Sequence, residues 1–219
     1  MNYLITRLAK APEINAVWDK APWCDVSAQT IGGFMGDKPE HLPKTEVKLA
    51  YTHQHLFVIF QVQDRYVRAV ANHYQDNVCR DSCAEFFFST GPDIAPGYFN
   101  LEINCGGTGL FHFQKALSVD RVPIPEQDFK KIDLAHSLPE IVEPEIEEPV
   151  TWTLEYAVPF DILRNYCSFA EPQSGIVWRA NFYKCADYTS HPHWLTWSPV
   201  DNPTPKFHLP EFFGTLEFE

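Results

Sequence analysis

The chain has 219 residues, enough for one large domain with a substantial buried core. Hydrophobic residues make up 45%, aromatics 15% and charged residues 21%, a globular, aromatic-rich composition that excludes a solvated linker and favours β-structure. With 17 Lys plus Arg against 29 Asp plus Glu the net charge is −12, and no basic cluster offsets it locally, so neither nucleic acid nor an anionic membrane surface suits it as a partner.

The opening segment, Met1 to Lys20, carries Arg7 and Lys10 where the apolar stretch of a signal peptide would lie, and it lacks a small-residue cleavage site. The expectation is a cytoplasmic protein if Met1 is the native start, and a secreted or periplasmic one otherwise. No run approaches about 18 consecutive apolar residues, so no transmembrane helix is expected. Thr45 to Thr52 then alternates, with Val47, Leu49 and Tyr51 on one face. His55 to Gln63 follows after a short link, with Leu56, Val58, Phe60 and Val62 facing one way and Gln61 and Gln63 the other. The two segments predict a hairpin of half-buried strands.

Ala84 to Phe88, Tyr98 to Ile103 and Gly109 to Phe113 are the next predicted strands, and Gly106 to Gly109 (GGTG) reads as a tight hairpin turn. The acidic, proline-rich stretch Pro139 to Pro149 cannot sustain a helix and is expected to be a surface loop. Trp152 to Val158 alternates again and predicts a strand with one wet face. Pro159 to Tyr166 has the look of a helix, with Phe160, Leu163 and Tyr166 inward. Ile176 to Lys184, His193 to Trp197 and Gly214 to Phe218 complete the strands. Short strands at roughly ten-residue spacing predict an all-β protein. The expected fold is a single antiparallel β-sandwich over residues 1–219, of immunoglobulin-like or jelly-roll type, with one or two short helices.

Catalytic motifs are missing: there is no GxSxG, HExxH or P-loop. Six cysteines, at positions 24, 79, 83, 105, 167 and 185, contain no CxxC pair and read as reduced, mostly buried thiols. His53 with His55, and His191 with His193, are i, i+2 pairs without a spaced third ligand, so turn residues describe them better than a metal site. Trp152, Trp178 and Trp197 read as core, and Trp194 as a surface aromatic. Glu85 is either an outward strand carboxylate or a buried one with a partner, and Phe207 is either a stacking platform or a plug in the core.

Three groups of segments resemble the family-9 carbohydrate-binding module and its DOMON-like β-sandwich relatives: Glu13 to Trp18 (EINAVW), which looks like an opening strand and turn; Thr45 to Tyr51 with Leu56 to Asp64 and Asp81 to Phe87; and Ala180 to Lys184 with Trp194 to Pro199 and Phe207 to Gly214. The resemblance implies a bacterial, non-catalytic module that holds a mono- or oligosaccharide between aromatic faces, with polar side chains bonding its hydroxyls. Position by position, it implies Glu85 as the binding carboxylate, with Asp81 as an alternative because one extra residue separates Ser82 from Glu85. Asn104 and Glu102 fall on the strand lining the site, Tyr183 falls where the family can use a Gln, and Phe207 falls at a stacking Trp. A second stacking Trp maps to about Val78, beside Cys79 and Arg80, and Arg80 or Tyr74 could stack in its place. Asn181, Trp194 and His208 complete the candidate site.

No cofactor is required by this reading, although Asp-rich turns would suit a structural calcium, which family relatives carry. Two competitors stay open: a sugar-active enzyme using paired carboxylates such as Glu85 and Glu102, and a haem-binding DOMON-type domain, for which Met35 is the one internal methionine.

Overall fold

Sixteen strands and two short α-helices make up the chain, described over residues 1–219 by a computed structural model. The N-terminal part contributes β1 (Asn2–Arg7), the short β2 (Gln29–Ile31) and β3 (Gly33–Phe34), the hairpin β4 (Lys44–Tyr51) and β5 (His55–Asp64), and β6 (Val67–Ala69). A meander follows: β7 (Cys83–Ser89), β8 (Tyr98–Asn104), β9 (Gly109–Gln114) and β10 (Val122–Pro123). Helix α1 (Glu126–Phe129) leads to β11 (Asp133–His136), β12 (Val142–Ile146) and β13 (Val150–Pro159). Helix α2 (Phe160–Arg164) then precedes β14 (Val177–Cys185), β15 (Trp194–Thr196) and β16 (Gly214–Phe218).

Two curled sheets share β1. The first runs β10-β9-β8-β7-β14-β16-β1 and the second β1-β4-β5-β13-β11, because Asn2–Ile5 pair with β16 while Thr6–Arg7 pair with β4. Every other neighbour in these two orders is antiparallel, but β1 is parallel to both of its partners. The purely antiparallel expectation is corrected there. Parallel pairing needs a long connection, and the Leu8–Pro43 segment supplies one.

Alternation decides what fills the space between the sheets. Leu56, Val58, Phe60 and Val62 on β5, and Trp152, Leu154 and Tyr156 on β13, are all buried in a core of 37 residues. Phe86, Phe88, Trp178 and Phe182 enter it from the other sheet, and the Phe60 and Phe182 rings meet edge-on with centroids 6.3 Å apart. Each fully buried side chain of this size is worth roughly 1.5–3 kcal/mol.

The faces expected to be wet are covered. Phe57, Ile59 and Ala157, on the outer side of the second sheet, lie buried under Trp23 and Val26, with Leu8, Ile14 and Trp18 packed alongside. The segment Glu13 to Trp18 is irregular rather than a strand, and its backbone is held by Glu155: Oε2 accepts from Asn15 N at 2.9 Å and Ala16 N at 2.7 Å. The same carboxylate accepts from Lys20 Nζ at 2.8 Å and from Trp23 Nε1 at 2.7 Å. The acidic stretch is also corrected, because Val142–Ile146 pairs with β6 while Val142 is buried and Arg68 bonds Glu143 at 2.9 Å. Phe160 and Leu163 face inward from α2 as expected, whereas Tyr166 lies past its end, against Phe99 and Phe113. The β8–β9 turn needs Gly107: its φ is +87°, and a Cβ there would come within 2.5 Å of the His136 ring. No helix is long and apolar enough to cross a membrane.

Candidate functional site

On β7 the core takes Ala84, Phe86 and Phe88, so the two-residue period sends Cys83, Glu85 and Phe87 to the outer face of the first sheet. That face is roofed. Met35, Val200 and Phe213 bury themselves over Phe87, Tyr98 and Tyr183, and Phe207, Leu209 and Phe212 pack at the edge of this second layer. Phe207 stacks on Tyr183 with ring centroids 4.1 Å apart and planes at 13°, while the Tyr183 hydroxyl donates to the Phe207 carbonyl at 3.0 Å. Phe207 is thus half-buried, one face spent on Tyr183.

Where the roof stops, a cavity of about 240 Å³ opens. Glu85 and Glu102 form its floor, Asp187, Cys79 and Cys185 line it, and Trp194 and Phe207 supply aromatic surface. His208, Lys206, Pro205 and Leu117 complete the lining. The register explains the floor: Glu85 lies directly opposite Glu102 on β8 and opposite Tyr183 on β14. Cys185 Sγ donates to Glu85 Oε1 at 3.0 Å, and Asn100 Nδ2 donates to Glu102 Oε1 at 2.9 Å. The Trp194 indole N–H donates to Asp187 Oδ1 at 2.7 Å, fixing the Trp ring.

Glu85 is 1% exposed and Glu102 7%. Burial, reinforced by the charge of Glu102, pushes the Glu85 carboxyl well above its ordinary range, and burial lifts Glu102 to about 7. Burial also raises Asp187, and it holds His208 neutral by lowering it to about 4, helped by His112, Lys206 and Arg121. The floor is therefore a carboxyl pair that burial biases toward its protonated forms, able both to accept from and to donate to hydroxyl groups.

Five of the residues singled out from sequence meet at this cavity: Glu85, Glu102, Trp194, Phe207 and His208. Tyr183 is the buried base beneath Phe207 and does not line it. Asn104 does not line the cavity: its amide donates to Asp81 Oδ2 at 2.9 Å, and its oxygen accepts from Gly106 N and Thr108 N, so it ties the β8–β9 turn. Asn181 is likewise spent elsewhere, bonding both the carbonyl and the N–H of Ser198. Arg80 stacks its guanidinium over Tyr188 at 4.7 Å and lines a separate hollow with Asp76 and Asp81. Tyr74 lies away as well, against Phe129. Between Asp81 and Glu85, the structure brings Glu85 to the cavity; Asp81 Oδ2 accepts from Val70 N at 3.0 Å and Ala71 N at 2.9 Å.

Sequence reading missed Cys79, Cys185, Asp187 and Lys206. Cys185 was recoverable, since it follows Asn181 and Tyr183 at the two-residue period; the others sit in turns whose direction no period reveals. Sγ of Cys83, Sγ of Cys185 and a Glu85 oxygen lie within 4.8 Å of one another, a donor set that could hold a thiophilic metal ion. The histidine pairs form no such set: His193 accepts from Lys184 Nζ at 2.7 Å, and His191 stacks on Tyr66 with centroids 3.6 Å apart. A larger hollow of about 670 Å³, lined by Arg7, Leu8, Ala9, His53, Ser174 and Glu219, has no Trp, Tyr or Phe to meet a ligand.

The competing readings fit this geometry poorly. A glycosidase dyad flanks the scissile bond with its two carboxyls, whereas Glu85 and Glu102 are cross-strand neighbours on one floor. Met35 is 2% exposed and packed among Phe87, Tyr98, Tyr183 and Phe213, with no face left to ligate haem iron.

A family model described as carbohydrate-binding family 9 matches residues 17–218. Among solved structures, a candidate carbohydrate-binding protein from Bacteroides uniformis ATCC 8492 is similar at 28% identity with a TM-score of 0.89, over 100% of this chain and 99% of that one. A family-9 carbohydrate-binding module from Caldicellulosiruptor kristjanssonii in complex with cellotriose is similar in fold at 12% identity and TM-score 0.67, covering 100% and 94% of the two chains. The glucose complex of a family-9 module from that organism gives 13%, 0.66, 100% and 96%. No curated protein matches the chain.

Proposed function

The chain belongs to carbohydrate-binding family 9, a family of non-catalytic modules, and on that premise we propose that it holds a saccharide in the cavity between Trp194 and Phe207, over the Glu85–Glu102 floor. The observation that carries this reading is the combination of half-exposed aromatic faces with a hydrogen-bonding floor in one cavity. Sugar C–H patches pack on the aromatic faces, and each hydroxyl taken out of water needs a partner that the carboxyl pair and Asp187 provide. At about 240 Å³ the cavity is smaller than the roughly 300–1,000 Å³ of sites for drug-sized ligands, which suits one ring or a chain end.

The test is a titration of the isotope-labelled protein with a panel of mono- and oligosaccharides, followed by amide and indole resonances. Trp194 is the best reporter, because its indole N–H is already bonded to Asp187 at the cavity wall. The expected result is a shift of the Trp194 indole together with amides around Phe207. Shifts confined to another surface, or none across the panel, would refute the assignment.

A further inference from the structure

We infer that the cavity selects glycans carrying a free, unacetylated amino group, an inference that rests on the carbohydrate reading above and names the class of sugar. Three carboxyl groups, those of Glu85, Glu102 and Asp187, converge on one small cavity, and none of them is ion-paired with a cation of the protein: Lys184 attracts Glu85 and Asp187, and Arg80 attracts Asp187, only from beyond salt-bridge distance. Their own donors are uncharged: the Cys185 thiol for Glu85, the Asn100 amide for Glu102, and the Trp194 indole for Asp187. Glu85 and Glu102 are both more than nine-tenths buried, yet the Oε2 oxygen of each is left without a hydrogen bond from the protein.

The cations nearby point elsewhere. Lys206 is exposed at the rim, and Lys184 lies behind the sheet with its ammonium bonded to the Cys185 carbonyl and to His193. His208 bonds the Tyr98 hydroxyl at 2.9 Å, and burial keeps it neutral. Arg80 is occupied with Tyr188.

A neutral sugar meets the carboxyl pair in its protonated forms and gains only neutral hydrogen bonds from it, since hydroxyls bring no charge that would ionise the pair. An ammonium on the ring brings three donors and the opposite charge, and charge-assisted bonds of this kind are roughly twice as strong as neutral ones. Trp194 and Phe207 add aromatic faces that attract a cation as well as C–H groups. N-acetylation removes both the charge and two of the three donors, so the acetylated sugar should behave like a neutral one.

Calorimetric titration with glucosamine, glucose and N-acetylglucosamine, and with their short β-1,4 oligomers, decides the matter in metal-free buffer and again with calcium or zinc. The expected result is binding of the amino sugars at least about tenfold tighter than either neutral class, with the preference collapsing in Glu102→Gln. Equal or tighter binding of glucose or N-acetylglucosamine would overturn the charge inference and leave the carbohydrate reading standing. Neutral-sugar binding that appears only with added metal would overturn it too, by showing that an ion answers the carboxylates. Failure of every sugar in the panel would overturn both readings.

Discussion

Phe207→Ala separates a ligand platform from a core plug, because the two roles cost different amounts in different assays. One face of the ring lies on Tyr183 at 4.1 Å, and the other belongs to the cavity. Truncating a fully buried Phe costs roughly 3–5 kcal/mol, so a half-buried one should cost about 2 kcal/mol, or a melting shift on the order of 4–8 °C in a chain of this length. Loss of the free face should weaken saccharide binding by about 1–2 kcal/mol, roughly 5- to 30-fold in Kd. Phe207→Leu makes the comparison clean: it retains most of the apolar volume and removes the aromatic face. Calorimetric binding and thermal melting of both variants are the measurements, and the Leu variant should melt within about 1 kcal/mol of the parent while still losing affinity. If Phe207→Leu binds as tightly as the parent and Phe207→Ala loses the full 3–5 kcal/mol of stability, Phe207 is part of the core and the site is misplaced.

Glu155→Gln should destabilise the protein by about 2–4 kcal/mol in urea unfolding, since the carboxylate is fully buried and receives Lys20, Trp23 and two backbone N–H groups; a change under about 0.5 kcal/mol would show that the N-terminal cover is not held by it. Acid should unfold the molecule through His193, whose Nε2 accepts from Lys184 and whose Nδ1–H donates to the His191 carbonyl, and which burial lowers from 6.5 to about 3. With the folded value depressed, the unfolded chain takes up the proton first: this contribution is present above about 6.5 and is lost as the pH falls toward 3, so His193→Asn should flatten the acid limb of a melting profile. Glu102 has the opposite sign, being raised to about 7: its contribution is present below 4.5 and lost as the pH rises through 7, and Glu102→Gln should remove that decline. An unchanged profile in either variant would refute its assignment.

Strand content and the interior face were legible because burial imposes a period. A one-residue slip of β5 or β13 would turn Leu56, Val58, Phe60, Trp152 and Leu154 out of the core together, so the alternation admits one assignment. The glycine-rich β8–β9 turn was legible for a similarly local reason, a positive φ at Gly107. The outer faces were not. Phe57 and Ile59 occupy positions that the alternation marks as wet, and only the docking of Trp23 and Val26 from a distant segment covers them. No local pattern encodes that contact.

The site divides along the same line. The resemblance alone grouped Glu85, Glu102 and Phe207 at one site, by ordering the segments that carry them. Which polar residues line the cavity is decided only in three dimensions: Asn104, Asn181 and Asp81 bond the backbone of turns that pack on them, while Cys185 arrives on β14, Cys79 from the turn before β7 and Asp187 from the turn after β14. A side chain's type and period are local properties of the chain, but a buried polar group takes whichever partner the folded backbone presents, and that partner can lie a hundred residues away or more, as Cys185 does from Glu85 and Asn15 from Glu155.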